Sequence, residues 1–181
     1  MKQFFFITSN QGKLKEAQEI LKNFKLIGKK IDLPEMQTLD LDLLIKEKAR
    51  VAFKIIKKPL IVEDTSLIFR AWKKMPGPTM KWFLQTVGNH GLIKMLKAYK
   101  NRKALAICSI GCIDNKTIKI FHGEVSGIIT KKPRGKNGIG WDPIFQPKGF
   151  NKTFAQMKAQ EKNKVSMRRV ALEKLKRYLN S

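Results

Sequence analysis

The sequence predicts an α/β fold, with a mixed central sheet flanked by helices, and three observations carry that prediction. Apolar strand-like runs alternate with helix-periodic stretches in β-α-β-α-β order from Met1 to about Ser66. Past Tyr99 the pattern changes to two long strand-like runs on either side of Asp114-Asn115-Lys116, so part of the sheet is antiparallel. The 181 residues are 43% hydrophobic, enough for a single domain over residues 1–181 with a sizeable core.

Taken in order, Met1 to Thr8 reads as a strand around the apolar run Phe4 to Ile7. Gly12 to Phe24 is an amphipathic helix with Leu14, Ala17, Leu21 and Phe24 on one face, and the chain returns through Lys25 to Ile31. A second helix spans about Leu41 to Lys57, where Leu44, Ile45, Lys48, Ala49, Ala52, Phe53 and Ile56 make a mostly apolar stripe. Pro59 ends it, and the buried strand Leu60-Ile61-Val62 follows, stopping at Glu63-Asp64. Met75-Pro76-Gly77-Pro78 breaks the chain before helices at about Thr79 to Thr86 and Gly91 to Tyr99. Ala104 to Ile113 and Thr117 to Ile129 are the two strand-like runs of a hairpin, and Ser166 to Tyr178 closes the chain as a helix. There is no repeat and no low-complexity linker.

Composition narrows the function classes. No stretch has the length of a membrane span, and Phe4 to Ile7 is too short for a signal peptide, which points to a cytoplasmic protein without a membrane partner. Cys108 and Cys112 have no second cysteine pair or neighbouring histidine to complete a zinc site, so they read as buried thiols of a reducing compartment. The charge is +24, from 38 Lys and Arg against 14 Asp and Glu. Such a field draws nucleoside phosphates, nucleic acid or acidic membrane surfaces without selecting among them. Only seven of the 38 cations are arginine and the lysines scatter from Lys2 to Lys176, which disfavours a dedicated nucleic-acid surface.

The richest segment chemically is Leu60 to Ser66, read Leu-Ile-Val-Glu-Asp-Thr-Ser. Ligands of open α/β sheets collect beyond the carboxyl ends of buried strands, and adjacent carboxylates there suit Mg²⁺, which takes oxygen ligands and shares them with phosphates. A solvated turn is the plainer alternative for the pair. Thr8-Ser9-Asn10-Gln11-Gly12-Lys13 lies where a strand turns into a helix, a place for a phosphate or for an ordinary helix cap. Glu35, in a loop, can join Glu63 and Asp64 as a third carboxylate for a divalent metal. Lys48 lies on an apolar stripe, where its charge either escapes to solvent or meets an anion. Lys81 starts a helix after Pro78. Gly138-Ile139-Gly140-Trp141-Asp142-Pro143 joins flexible backbone, a flat aromatic and a carboxylate, a set that suits a nucleobase, with Trp141 as a core anchor the alternative. Lys162, Ser166, Arg168 and Arg169 flank the start of the last helix.

In their order these segments resemble the inosine triphosphate pyrophosphatase family, and its eukaryotic branch in particular. The carrying residues are Thr8 to Glu16, Lys30-Ile31-Asp32-Leu33-Pro34-Glu35, Val62-Glu63-Asp64-Thr65, Pro76-Gly77-Pro78, Lys81-Trp82-Phe83-Leu84, Gly140 to Pro147 and Glu161 to Ser166, spread over nearly the whole chain. The resemblance implies a two-lobed fold with a long sheet and a substrate cleft between the lobes, a homodimer, and hydrolysis of ITP, dITP and XTP to the monophosphate and pyrophosphate. It implies Mg²⁺ as cofactor, with Mn²⁺ as substitute, held by Glu35 and Asp64 with Glu63 beside them, and Asp64 as the catalytic residue that orients or deprotonates water. Thr8, Ser9, Asn10, Gln11, Gly12 and Lys13 would hold phosphates, Lys48 and Lys81 would neutralise them, and Thr65 would contact substrate. Gly140, Trp141 and Asp142 would flank the base, with Lys162 and Arg168 reaching it or its phosphates.

Two departures fall at the base pocket: Ile139 where the family usually has an aromatic, and Met167 where it usually has a histidine. Losing one aromatic face costs about 1–3 kcal/mol of stacking, less when isoleucine fills the space. The expectation is intact phosphate chemistry with relaxed or altered base preference. A basic nucleotide- or nucleic-acid-binding protein without turnover is the alternative from a different class.

Overall fold

The computed structural model describes residues 1–114 and 117–181. Strands β1 (Gln3–Ile7), β2 (Lys25–Lys29) and β3 (Leu60–Phe69) alternate with helices α1 (Gln11–Ile20) and α2 (Leu41–Ile56). There follow β4 (Pro76–Gly77), α3 (Met80–Thr86), α4 (Gly88–Leu96), β5 (Lys103–Asp114), β6 (Thr117–Ile129), β7 (Phe145–Pro147), α5 (Ala159–Val165) and α6 (Met167–Asn180). The strands make one seven-stranded sheet of order β2-β1-β3-β5-β6-β7, with β4 on β3. β1 is parallel to β2 and β3, joined by helical crossovers, whereas β4 runs antiparallel to β3 and β7 to β6. The mixed α/β architecture is therefore as the sequence predicts. The hairpin turn expected at Asp114-Asn115-Lys116 falls partly on Asn115 and Lys116, outside the described residues.

The chain divides into two compact units, the first made of Met1–Asp64, Cys108–Gly123 and Met167–Ser181, the second of Thr65–Ile107 and Glu124–Ser166. In the first, Ile7, Ile45, Ala49, Ala52, Leu60, Val62 and Ile113 form a core. The apolar stripe of α2 supplies three of them, and Gly111 of β5 admits the helix closely, since a Cβ there would lie 2.7 Å from Ile45 Cγ2. Asp40 caps α2, its carboxylate accepting from the amides of Asp42 and Leu43 at 2.9 and 3.0 Å. Helix α1 stops at Ile20 and does not reach Phe24: past the Leu21 cap the Phe24 amide donates to Leu21 O at 2.8 Å, and Phe24 meets Phe4 edge-on at 6.0 Å.

Helix α6 buries Met167, Arg168, Ala171, Leu172 and Leu175, one face at helical spacing. It lies directly against Gly123 of β6, where a Cβ would sit 1.9 Å from Met167 O and 2.5 Å from Ala171 N. Backbone atoms cannot yield as a side chain would, so Gly123→Ala is expected to cost roughly 2–4 kcal/mol, read as a lowered urea midpoint at unchanged m.

In the second unit Trp72 packs against Phe69, Phe83 and Tyr99, and an open pocket of about 360 Å³ is lined by Trp72, Met75, Phe83, Met95 and Tyr99. A second aromatic group joins Trp141, Phe145 and Phe154 at ring separations of 5.1–6.3 Å. Helix α4 begins at Gly88, three residues before Gly91, the start expected from the sequence, and α5 is an element that the periodicity did not announce. Cys108 and Cys112 are buried free thiols, and burial pushes Cys112 up to about 12. Among the described residues no helix is long and apolar enough to cross a membrane.

Candidate functional site

The strand carrying Glu63 and Asp64 does not stop at them, as the sequence suggested. β3 continues to Phe69, its far end paired with β4 through Leu67↔Gly77 and Ile68↔Pro76. What ends is its parallel neighbour: pairing with β1 closes at Ile7↔Val62, so the two acids lie just past the carboxyl end of β1. Because the strand continues through them, the pleat sends adjacent side chains to opposite faces. Their partners differ accordingly. Glu63 receives Arg168 Nε at 2.8 Å and Nη2 at 3.0 Å, with Lys13 Nζ at 2.9 Å. Asp64 receives Lys48 Nζ at 2.5 Å from α2. Lysine on the apolar stripe of α2 thus finds an anion.

Electrostatics separate the pair further. Glu63 is 1% exposed, and burial alone would raise its pKa, but the Arg168 and Lys13 cations outweigh that and hold it at about 2 against an ordinary 4.5. Burial dominates at Asp64 and raises its carboxyl despite Lys48 and Lys13. Arg168 is buried, and its own loss of hydration would lower its pKa, but Glu63 and Glu16 raise it above the ordinary arginine value; its Nη1 donates to Glu16 at 2.5 Å. A group whose folded pKa is depressed contributes stability that is present above its unfolded value and lost as pH falls through the folded one. The Glu63 shift is worth about 3 kcal/mol. In metal-free buffer, denaturant titrations should therefore show stability falling steadily from about pH 4.5 to about pH 2, and Glu63→Gln should flatten that fall.

Upstream, the Thr8–Lys13 loop joins β1 to α1. Asn10 is the helix cap, its Oδ1 accepting the Lys13 amide at 3.1 Å, while the Asn10 amide donates to Thr8 Oγ1 at 3.0 Å. Ser9, Gln11 and Gly12 are exposed around it. Asn10 thus caps α1, and Lys13 extends from the first turn to Glu63. Glu35 is exposed in the loop before α2. Among the described residues, no three histidine, cysteine or acidic side chains stand close enough to hold a metal by themselves.

In the second unit, Asp142 organises its own loop. Its Oδ2 accepts the Ile139 amide at 2.8 Å and Lys162 Nζ at 2.6 Å, and a Cβ on Gly138 would lie 2.1 Å from that oxygen. Trp141 is 6% exposed and packs against Phe145 and Phe154. Ile139 is 56% exposed. Lys81 is exposed at the start of α3, and Thr65 is half-buried on β3.

The structure therefore brings together Lys13, Glu63 and Arg168, then Lys48 with Asp64, then Ile139, Asp142 and Lys162. Lys162 is bound by Asp142, and Arg168 by Glu63 and Glu16. Met167 is buried at 2% exposure. Glu16 received no role from the sequence, though its place three residues after Lys13 on one helix face was a usable signal.

Residues 4–178 match the model of the Ham1 family. The inosine triphosphate pyrophosphatase of Yarrowia lipolytica is 42% identical over 178 residues, which cover 96% of this chain and 94% of that protein. Inosine triphosphate pyrophosphatase 2 of Trypanosoma cruzi is 41% identical over 175 residues, 95% of this chain and 89% of that one. A HAM1 protein from Coxiella burnetii superposes with a TM-score of 0.90 at 30% identity, covering 99% of each chain. With a family match spanning almost every residue, the chain belongs to the Ham1 family.

Proposed function

We propose that the protein hydrolyses ITP, dITP and XTP to the nucleoside monophosphate and pyrophosphate, removing deaminated purines from the nucleotide pool. The observation that carries this reading is 41–42% identity over almost the whole chain to proteins named inosine triphosphate pyrophosphatase. In the first unit, Thr8 to Lys13 hold phosphates and Lys48 neutralises them; in the second, Lys81 neutralises phosphate and Thr65 contacts substrate. Asp64 orients, or takes the proton from, the attacking water. Glu63 keeps Lys13 and Arg168 in place, both of its oxygens being engaged by them. Gly140 and Asp142 flank the base, Trp141 anchors their loop, and Lys162 stands beside Asp142.

A divalent cation fits this donor set. Mg²⁺ is commonly held by one or two carboxylates plus substrate phosphates, so no closed cage is needed. Asp64 and Glu35 are its ligands in this reading, with Mn²⁺ a substitute. Bound there, the cation neutralises charge on phosphate oxygens, the main demand of phosphoryl chemistry. A homodimer and a cytoplasmic location accompany the family reading. Sedimentation at micromolar concentration tests the first, with a monomer rejecting it.

The exposed Ile139 and the buried Met167 favour a second reading, the same chemistry with relaxed base preference. One panel decides between them: pyrophosphate release from ITP, dITP, XTP, GTP, ATP and dTTP with Mg²⁺. A kcat/KM preference for ITP and XTP of about a hundredfold, near 3 kcal/mol, rejects relaxed selectivity. No release from any triphosphate, with salt-dependent retention on DNA, would favour a basic binding protein instead.

A further inference from the structure

Asn89 has no part in the roles above, yet it reaches the loop assigned to the base. It lies in the first turn of α4, and its Nδ2 donates to the carbonyl oxygen of Gly140 at 2.9 Å, a contact between residues 51 apart in the chain. Gly140 links the exposed Ile139 to the buried Trp141. Its φ is +61° and that of Gly138 is +78°, conformations that L side chains rarely adopt. Asp142 holds this bend at Ile139, accepting that residue's amide, while the Asp142 amide returns to Ile139 O at 3.2 Å. Asn89 holds it at the next peptide.

The orientation of the amide follows from its surroundings. Turned over, Asn89 would set Oδ1 against the Gly140 carbonyl, acceptor facing acceptor. As it stands, Oδ1 is buried and has no hydrogen-bond partner among the described residues. A side chain held for general stability would satisfy both ends, so one buried acceptor left unpaired calls for a local reason. Fixing the Gly140 carbonyl supplies one.

We infer that Asn89 is a positioning residue for base recognition: it clamps Gly140 so that loop 138–142 keeps the shape that meets the purine. This rests on the reading that the loop meets the base. With an aliphatic Ile139 offering less stacking than an aromatic, preorganised backbone carries more of the recognition.

Asn89→Ala and Asn89→Asp, the second close to isosteric but without the donor, test the clamp against the unmodified chain. Hydrogen exchange at the amides of Ile139, Trp141 and Asp142 should quicken by about tenfold in both, with β1, β3 and α2 unchanged. KM for ITP should rise about 5- to 10-fold, the worth of one hydrogen bond, with kcat held within about twofold. Unchanged loop exchange overturns the inference, as does faster exchange throughout the chain, which would make Asn89 a general support of the fold. A fall in kcat at constant KM overturns it too. Should the unmodified protein release no pyrophosphate, the functional reading fails by itself. Loop exchange and equilibrium binding of inosine monophosphate, neither of which needs turnover, then decide the clamp: binding weakened about 5- to 10-fold supports it, and unchanged binding overturns it.

Discussion

Asp64→Asn is expected to lower kcat for pyrophosphate release from ITP by about 10²- to 10⁴-fold, the usual contribution of a positioned acid or base. The substitution keeps the shape and one oxygen but removes the charge that, in the proposed mechanism, orients water and helps hold a cation. It should not cost the fold. Asp64 is only 17% exposed, and burial raises its carboxyl, so ionising it opposes folding. A raised carboxyl contributes stability that is complete at low pH and lost as pH rises through its folded value. At neutral pH the asparagine variant should therefore melt at the same temperature as the parent or above it, even with Lys48 left without its anion. A large activity loss with unchanged melting would separate chemistry from structure at this position. Retained turnover would move the catalytic role elsewhere.

Arg168→Met should have the opposite signature, a large loss of stability. Breaking a buried ion pair on one side strands the other charge, typically at about 3–5 kcal/mol. Arg168 bridges Glu63 and Glu16, and its removal would leave Glu63, 1% exposed, with Lys13 as its remaining cation. For a chain of this length such a loss is roughly a 10 °C fall in Tm. Adding Glu63→Gln to Arg168→Met should recover part of it, since the stranded charge is then gone. If the double variant is as unstable as the sum of the two single variants, the pair is not the unit that calorimetry measures, and Glu16 carries more of the coupling.

The apolar stripe of α2 was legible because a period of 3.6 survives in the order of residues alone, and so was Lys48 as its one anomaly. Its two possible fates were open until Asp64 was found 2.5 Å away. The end of β3 was misjudged for a definite reason. Glu63 and Asp64 look like the polar end of an apolar run, but Thr65 to Phe69 continue the strand because β4 pairs with it, a contact made by residues some ten positions later. The sequence offered Trp141 no packing partners, and its contacts with Phe145 and Phe154 come from the fold.

Arg168 and Asn89 lay furthest from view. Nothing near Arg168 in the chain announces Glu63, 105 residues away, or Glu16, 152 away, and nothing near Asn89 announces Gly140. By itself, the order of residues determined the α/β class, the run of the main helices and the family resemblance, because period, capping and motif spacing are local properties that neighbouring residues write into the chain. Tertiary structure alone decided which carboxylate meets which cation, that adjacent acids face opposite sides of the sheet, and which amide holds the 138–142 loop. Those are distances between segments far apart in the chain, set by sheet order and packing, and no local pattern contains them.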